Sequence, residues 1–327
     1  MNILYCIDET KKDYSRFMWV SMLSLLENNK DEDICIYVIT TKLEEENKKE
    51  LERIVALYNK TIKFSNNSEI IPKKIKDILY KGGHWPIAVY YRLFFNNCFP
   101  EINDRLLYFD CDTIINKNLS EFYNVDFWEN IIAWQLDLPL NRYFHKELWL
   151  EVDSYINSWV LLFNVPKFIE INLFEKIEYA NKNYTITETD QDYINITFKW
   201  KILLYDRLQA IVASKFFKDI KDFLVIHTIA KPDHPFSLCP NRIVKIFDNY
   251  LKKTKWKDFY KHKKCTFNDT ILYYELIIKD FIASLCIKLF WTPLTYKIIK
   301  IPSHLSNLCH RFFNFIYTHI LHLFTKH

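Results

Sequence analysis

Glycine is almost missing from this chain: Gly82 and Gly83 are the only two in 327 residues. A phosphate-binding P-loop or a dinucleotide fingerprint needs several glycines at fixed spacing, so that backbone amides can close on a phosphate, and neither can be built here. Paired cysteines are also lacking. The eight cysteines, at positions 6, 35, 98, 111, 239, 265, 286 and 309, are widely spread and none forms C-x-x-C. This argues against zinc ribbons and thioredoxin-like chemistry and fits reduced thiols in a cytoplasmic protein. The formal net charge is only +4 and no basic run of the nucleic-acid type occurs, so no nucleic-acid partner is expected. Uncharged runs fall well short of the ~20 residues that span a bilayer. Asp8 and Glu9 stand where a signal peptide would need its apolar core.

What the chain has is a hydrophobic half, at 50% of residues, arranged in alternating strand and helix patterns. Short apolar runs mark strands at Asn2–Ile7, Ile34–Ile39, Thr61–Phe64, Arg105–Phe109, Ile131–Trp134, Ser158–Phe163 and Phe223–Ile226. Between the first two, Phe17, Val20, Leu23, Ser24 and Glu27 follow a helical period. Thr41-x-x-Glu44 reads as a capping box opening a helix from Lys42 to Tyr58, with Leu43, Leu51, Ile54 and Val55 as its buried stripe. This alternation predicts an α/β domain with a parallel sheet covered by helices on both faces.

The strongest local signal is Asp110-Cys111-Asp112, which follows the apolar run Leu106-Leu107-Tyr108-Phe109. Residues i and i+2 of an extended chain point to one side, so both carboxylates face one spot at the strand exit, where α/β sheets place their ligands. Paired hard oxygen ligands suit Mg²⁺ or Mn²⁺ holding a diphosphate. Four further groups accompany them. Asp8 ends the first strand and Tyr14 follows in a polar loop, a place for a base or ribose. Arg92, in Tyr90-Tyr91-Arg92-Leu93 on a predicted helix, has the reach for phosphate. Asp190-Gln191-Asp192 opens a helix, and His227 closes a strand shortly before Lys231-Pro232. Each alone is more commonly a surface loop, a solvated arginine, a helix cap or a core or surface histidine.

Taken in order, the set resembles glycosyltransferase family 8, the bacterial lipopolysaccharide glucosyl- and galactosyltransferases and glycogenin, over about residues 1 to 235. Asp8 and Tyr14 look like its uridine site, and Tyr90-x-Arg92-Leu93 like its donor-contacting helix. Tyr108-Phe109-Asp110-Cys111-Asp112 is similar to its metal-binding motif. Ala133-x-x-x-Asp137 and Tyr155-Ile156-Asn157-Ser158 stand in its sugar-contacting segments, and Asp190-Gln191-Asp192 in its D-Q-D motif. Val225-Ile226-His227 with Lys231-Pro232 matches its His-to-Lys-Pro segment. The chain departs in two places: Trp159 stands where the family has glycine, and the His227-to-Lys231 spacing is short, with Ala230 replacing a glycine.

The resemblance implies a Rossmann-like, nucleotide-sugar-binding fold of glycosyltransferase type A. The implied reaction is retaining transfer of glucose or galactose from a UDP-sugar to a lipopolysaccharide or other surface glycan acceptor. Asp110, Asp112 and His227 would be ligands of Mn²⁺, with Mg²⁺ as a second possibility. Asp8, Tyr14, Arg92, Asp110, Cys111, Asn157, Ser158 and Lys231 would bind the donor, and Gln191, Asp190 and Asp137 would surround the reacting sugar. An amide such as Gln191 is a poor nucleophile, so front-face attack is implied rather than the covalent route of retaining hydrolases. The alternative is a catalytically inactive scaffold of the same fold in a membrane glycan assembly complex, which binding of UDP and Mn²⁺ distinguishes.

The residues divide into an expected catalytic domain, 1–250, and a basic aromatic helical tail, 251–327. From Phe281 to His327 there is no Asp or Glu, against Lys288, Lys297, Lys300, Arg311 and Lys326 and five histidines. On a helix, Arg311, Asn314, Thr318, His322 and Thr325 form a polar stripe opposite Phe313, Ile316, Tyr317, Ile320, Leu323 and Phe324. Such a helix suits an anionic membrane surface, with a glycolipid acceptor and a peripheral position on the inner face of the cytoplasmic membrane. Packing on its own domain or on another subunit is the other reading.

Overall fold

The computed structural model describes residues 1–9, 14–66, 69–79, 86–137, 154–205, 223–227 and 242–257. Lys231 and the segment 258–327, with its expected amphipathic helix, lie outside the described residues. Nine strands are described: β1 Asn2–Asp8, β2 Cys35–Lys42, β3 Thr61–Ser65, β4 Arg105–Phe109, β5 Thr113–Ile115, β6 Ile132–Trp134, β7 Val160–Asn164, β8 Ile202–Leu204 and β9 Val225–His227. The longer helices are α1 Ser15–Asn28, α2 Glu45–Leu57, α3 Leu173–Asn183, α4 Thr189–Thr197 and α5 Arg242–Leu251. Tyr90–Leu93 lies in a 3₁₀ helix, Ile87–Leu93.

Seven strands form one sheet in the order β3-β2-β1-β4-β7-β6-β8, and β5 pairs with β9 in a second. The sheet is mixed, which corrects the all-parallel expectation. β1 to β4 run parallel, but β7 is antiparallel to both β4 and β6, and β6 is parallel to β8. An apolar run buried on both faces carries no directional signal, so the reversal at β7 could not be read from hydrophobicity.

The capping box is the second correction. Thr41 belongs to β2, α2 begins at Glu45, and Glu44 makes no side-chain cap hydrogen bond. The buried Glu9 takes the role instead. Its carboxylate accepts the Glu44 amide at 3.2 Å, the Asn47 side-chain amide at 3.0 Å and the Ser15 hydroxyl at 2.5 Å. One carboxylate thus meets the positive ends of both α1 and α2.

Helix α1 is buried from Ser15 to Leu26, because β5, α5 and α2 pack against it. Its serines are satisfied there. Ser21 Oγ lies 2.9 Å from Tyr5 Oη and 3.0 Å from Thr113 Oγ1, and Ser24 Oγ accepts the Ile115 amide at 2.9 Å. These bonds seat β5 behind the exit of β4, where the Asp pair lies.

Candidate active site

Strand order reverses at β1, which has β2 on one side and β4 on the other. The crevice at the carboxyl ends of two such strands is where open α/β sheets bind ligands. Asp8 ends β1, and Asp110 follows β4 directly. Asp8 Oδ1 is buried without a partner among the described residues, and Thr41 Oγ1 donates to Oδ2 at 3.5 Å. Tyr14 stands half-buried at the start of α1, its ring 5.4 Å from that of Phe17.

After Asp112 the chain enters β5, and β9 pairs with it in the register Thr113↔His227. That register sets His227 beside an aspartate 115 residues earlier, with Nε2 2.9 Å from Asp112 Oδ1 and 3.8 Å from Asp110 Oδ2. One ligand atom from each of Asp110, Asp112 and His227 lies within 4.8 Å of the others. Cys111 between them points away: its thiol donates to the Cys6 carbonyl at 3.4 Å in the core.

Behind the pair sits Arg92, buried at 4% exposure. Its Nε donates to Val89 O at 2.9 Å, and an η nitrogen to Ser158 O at 2.5 Å. It pairs with Asp110 at 3.1 Å and Asp190 at 3.4 Å, over the Tyr108 ring. Its charge therefore reaches the crevice through these two carboxylates.

On the far side, Gln191 links three segments. Its carbonyl accepts the Ser158 amide at 3.0 Å, and its amide donates to Asp137 at 3.0 Å and to Tyr155 Oη at 3.2 Å. Asn157 Oδ1 accepts the Trp134 indole N–H at 2.6 Å. Asp192 is a structural member of its triplet. It accepts the Thr187 and Glu188 amides and the Tyr155 hydroxyl, fixing the loop that enters α4.

Burial and charge act against each other in this pocket. Burial raises the carboxyl pKa values of Asp110 and Asp190, with Arg92 opposing the rise in both. Burial also works against a charged His227, but the charge and hydrogen bond of Asp112, with Asp110, outweigh it and raise the imidazole above its usual value. Burial and the neighbouring aspartates likewise raise the Tyr14 phenol and the Cys111 thiol. Asp110 and Asp112 lie together beside the His227 imidazole, and a divalent cation held there would offset the repulsion between the two carboxylates. Two carboxylates and an imidazole fit Mn²⁺ or Mg²⁺.

The model of glycosyl transferase family 8 matches residues 2–211. The chain belongs to this family. A lipopolysaccharide 1,2-glucosyltransferase of Escherichia coli is 28% identical over 60% of this chain and 58% of its own length. A lipopolysaccharide 1,3-galactosyltransferase of Salmonella typhimurium is 26% identical over 63% of this chain and 62% of its own. The chain thus spans about three fifths of the length of these curated relatives. Among solved structures, the galactosyltransferase LgtC with donor and acceptor sugar analogues superimposes with a TM-score of 0.65 at 19% identity, covering 78% of this chain and 96% of that one. The fold is that of glycosyltransferase type A.

In this family 8 chain, the structure brings Asp110, Asp112, His227, Arg92, Asp190, Gln191, Asp137 and Ser158 into one network. The resemblance set Tyr155 in a sugar-contacting segment, and in the structure its buried hydroxyl bridges Asp192 and Gln191; sequence reasoning gave no role to Asn195. Asn195 bonds the Ile156 amide and carbonyl and the Gln191 carbonyl. Its spacing of four from Gln191 on one helix face was the available signal.

Proposed function

We propose that the chain is a retaining, metal-dependent hexosyltransferase, moving glucose or galactose from a UDP-sugar to a lipopolysaccharide or other surface glycan acceptor. The observation that carries the reading is the convergence of Asp110, Asp112 and His227 at the mouth of the β1–β4 crevice. Asp8, with its unpartnered oxygen, and Tyr14 would take the uridine. Asp110, Asp112 and His227 would hold Mn²⁺ or Mg²⁺. When bound, such an ion neutralises charge that builds on the diphosphate as the glycosidic bond breaks.

Arg92 pairs with Asp110 and Asp190, holding both in place, and opposes the rise that burial imposes on their carboxyls. Gln191, clamped by Ser158 and Asp137, is an uncharged amide and a poor nucleophile, which favours front-face substitution. The acceptor hydroxyl then loses its proton to the leaving phosphate oxygen. Asp137, Asn157, Asp190 and Gln191 would orient the hexose hydroxyls. Cys111 would meet the donor through its backbone, because its thiol is turned into the core. Lys231 would supply a further cation to the phosphates.

The test is UDP release from a panel of UDP-sugars, with Mn²⁺ and with EDTA. Metal-dependent release from UDP-glucose or UDP-galactose supports the reading. No release, together with no UDP binding by calorimetry, would leave the inactive scaffold.

A further inference from the structure

A metal-binding histidine ordinarily donates its second ring nitrogen to a carboxylate, carbonyl or water, which fixes the tautomer and the plane of the ring. His227 has no such orienting bond among the described residues: Nδ1 is buried and without a hydrogen-bond partner, while Nε2 faces the two aspartates. The terminal torsion of a histidine is broad, so a side chain packed on the face of the ring restricts its plane. Trp159 is placed to do it. Its ring centroid lies 4.4 Å from that of the imidazole at 43°, and it is itself 9% exposed. Its backbone carbonyl accepts the Asp110 amide at 2.8 Å. One residue therefore touches two of the three candidate ligands, one by its ring and one by its backbone.

We infer that Trp159 is a positioning residue for the metal site, its indole setting the plane of the His227 imidazole in place of a hydrogen bond to Nδ1. This rests on the metal reading of Asp110, Asp112 and His227. The backbone bond to Asp110 survives any side-chain substitution, so variants isolate the contribution of the ring. Phenylalanine keeps a flat surface against the imidazole; leucine fills space without one.

Mn²⁺ is titrated into the full chain and its free concentration read by electron paramagnetic resonance, with thermal melting in EDTA as the measure of folding. Trp159→Leu is expected to weaken Mn²⁺ binding by about tenfold, the low end of the effect of losing an orienting partner. Trp159→Phe is expected to stay within about threefold of the native protein, while both variants melt cooperatively in EDTA. Leu and Phe variants that bind alike, at native or at reduced affinity, would overturn the inference. A native protein that binds no Mn²⁺ would instead sink the metal reading on which it stands.

Discussion

Asp112 and His227 share one short contact of 2.9 Å, and both offer it to any cation that enters. Asp112→Asn removes the charge and keeps the shape. Turnover should fall by about a thousandfold, the loss of several kcal/mol of charge stabilisation, while the melting temperature stays within a few degrees. Donor hydrolysis and a thermal melt measure both, and a soluble variant with full activity would remove the assignment. The raised pKa of His227 gives a second expectation. In metal-free protein its stabilising contribution is fully present below the unfolded pKa of about 6.5 and is lost as pH rises through the higher folded value. A metal needs the neutral ring and displaces the proton. The gain in melting temperature from a fixed Mn²⁺ concentration should therefore be larger at about pH 8 than at about pH 6; equal gains would exclude His227 as a ligand. At this scale the aspartates were legible because they follow an apolar strand at once, but they lie in the turn between β4 and β5, closed by the Thr113 amide on the Asp110 carbonyl at 3.2 Å, and not in the extended chain that the sequence suggested. The contact of Trp159 with His227 was not, because no local period joins them.

Strands β1, β2 and β4 were legible nearly to their ends, since each is a largely buried apolar run, and β3 by the alternation of Ile62 and Phe64 with polar residues, though none of its residues is buried. β5 and β8 are only three residues long and gave no separate signal. The start of α2 was misread because a local pattern competed with a tertiary one. Thr41 was already committed to β2, and Glu9 came from another element to meet the orphan amides. Glu9→Ala should lower stability by about 2–3 kcal/mol, the range for hydrogen bonds to a buried charged group. Thr41→Ala should cost less than about 0.5 kcal/mol, as its own contacts, at 3.3 and 3.5 Å, are long. Urea unfolding of the two variants compares them, and a larger loss at Thr41 would restore the capping box.

Over the whole molecule, the site exists because two distant strands, β5 and β9, pair beside the exit of β4. The segment 242–257 packs back on α1, with the Phe17 and Phe247 rings 5.5 Å apart and those of Trp19 and Trp256 5.9 Å apart. No helix among the described residues is long and apolar enough to cross a membrane. Peripheral docking is proposed for the basic aromatic residues from Phe281 to His327, on their lack of acidic residues and their five Lys and Arg. Full-length protein should float with anionic liposomes, and a truncation near Asn268 should not; equal behaviour would reject the anchor. The sequence by itself determined the α/β class, the family and the presence of paired carboxylates at a strand exit, because apolar periodicity and the order of motifs are properties of the chain alone. Only the tertiary structure decided the direction of β7, the helix ends held by Glu9, and the union of His227 with Asp112 under the Trp159 ring. These depend on which strands pair and in what register, and that is settled by packing between residues far apart in the chain.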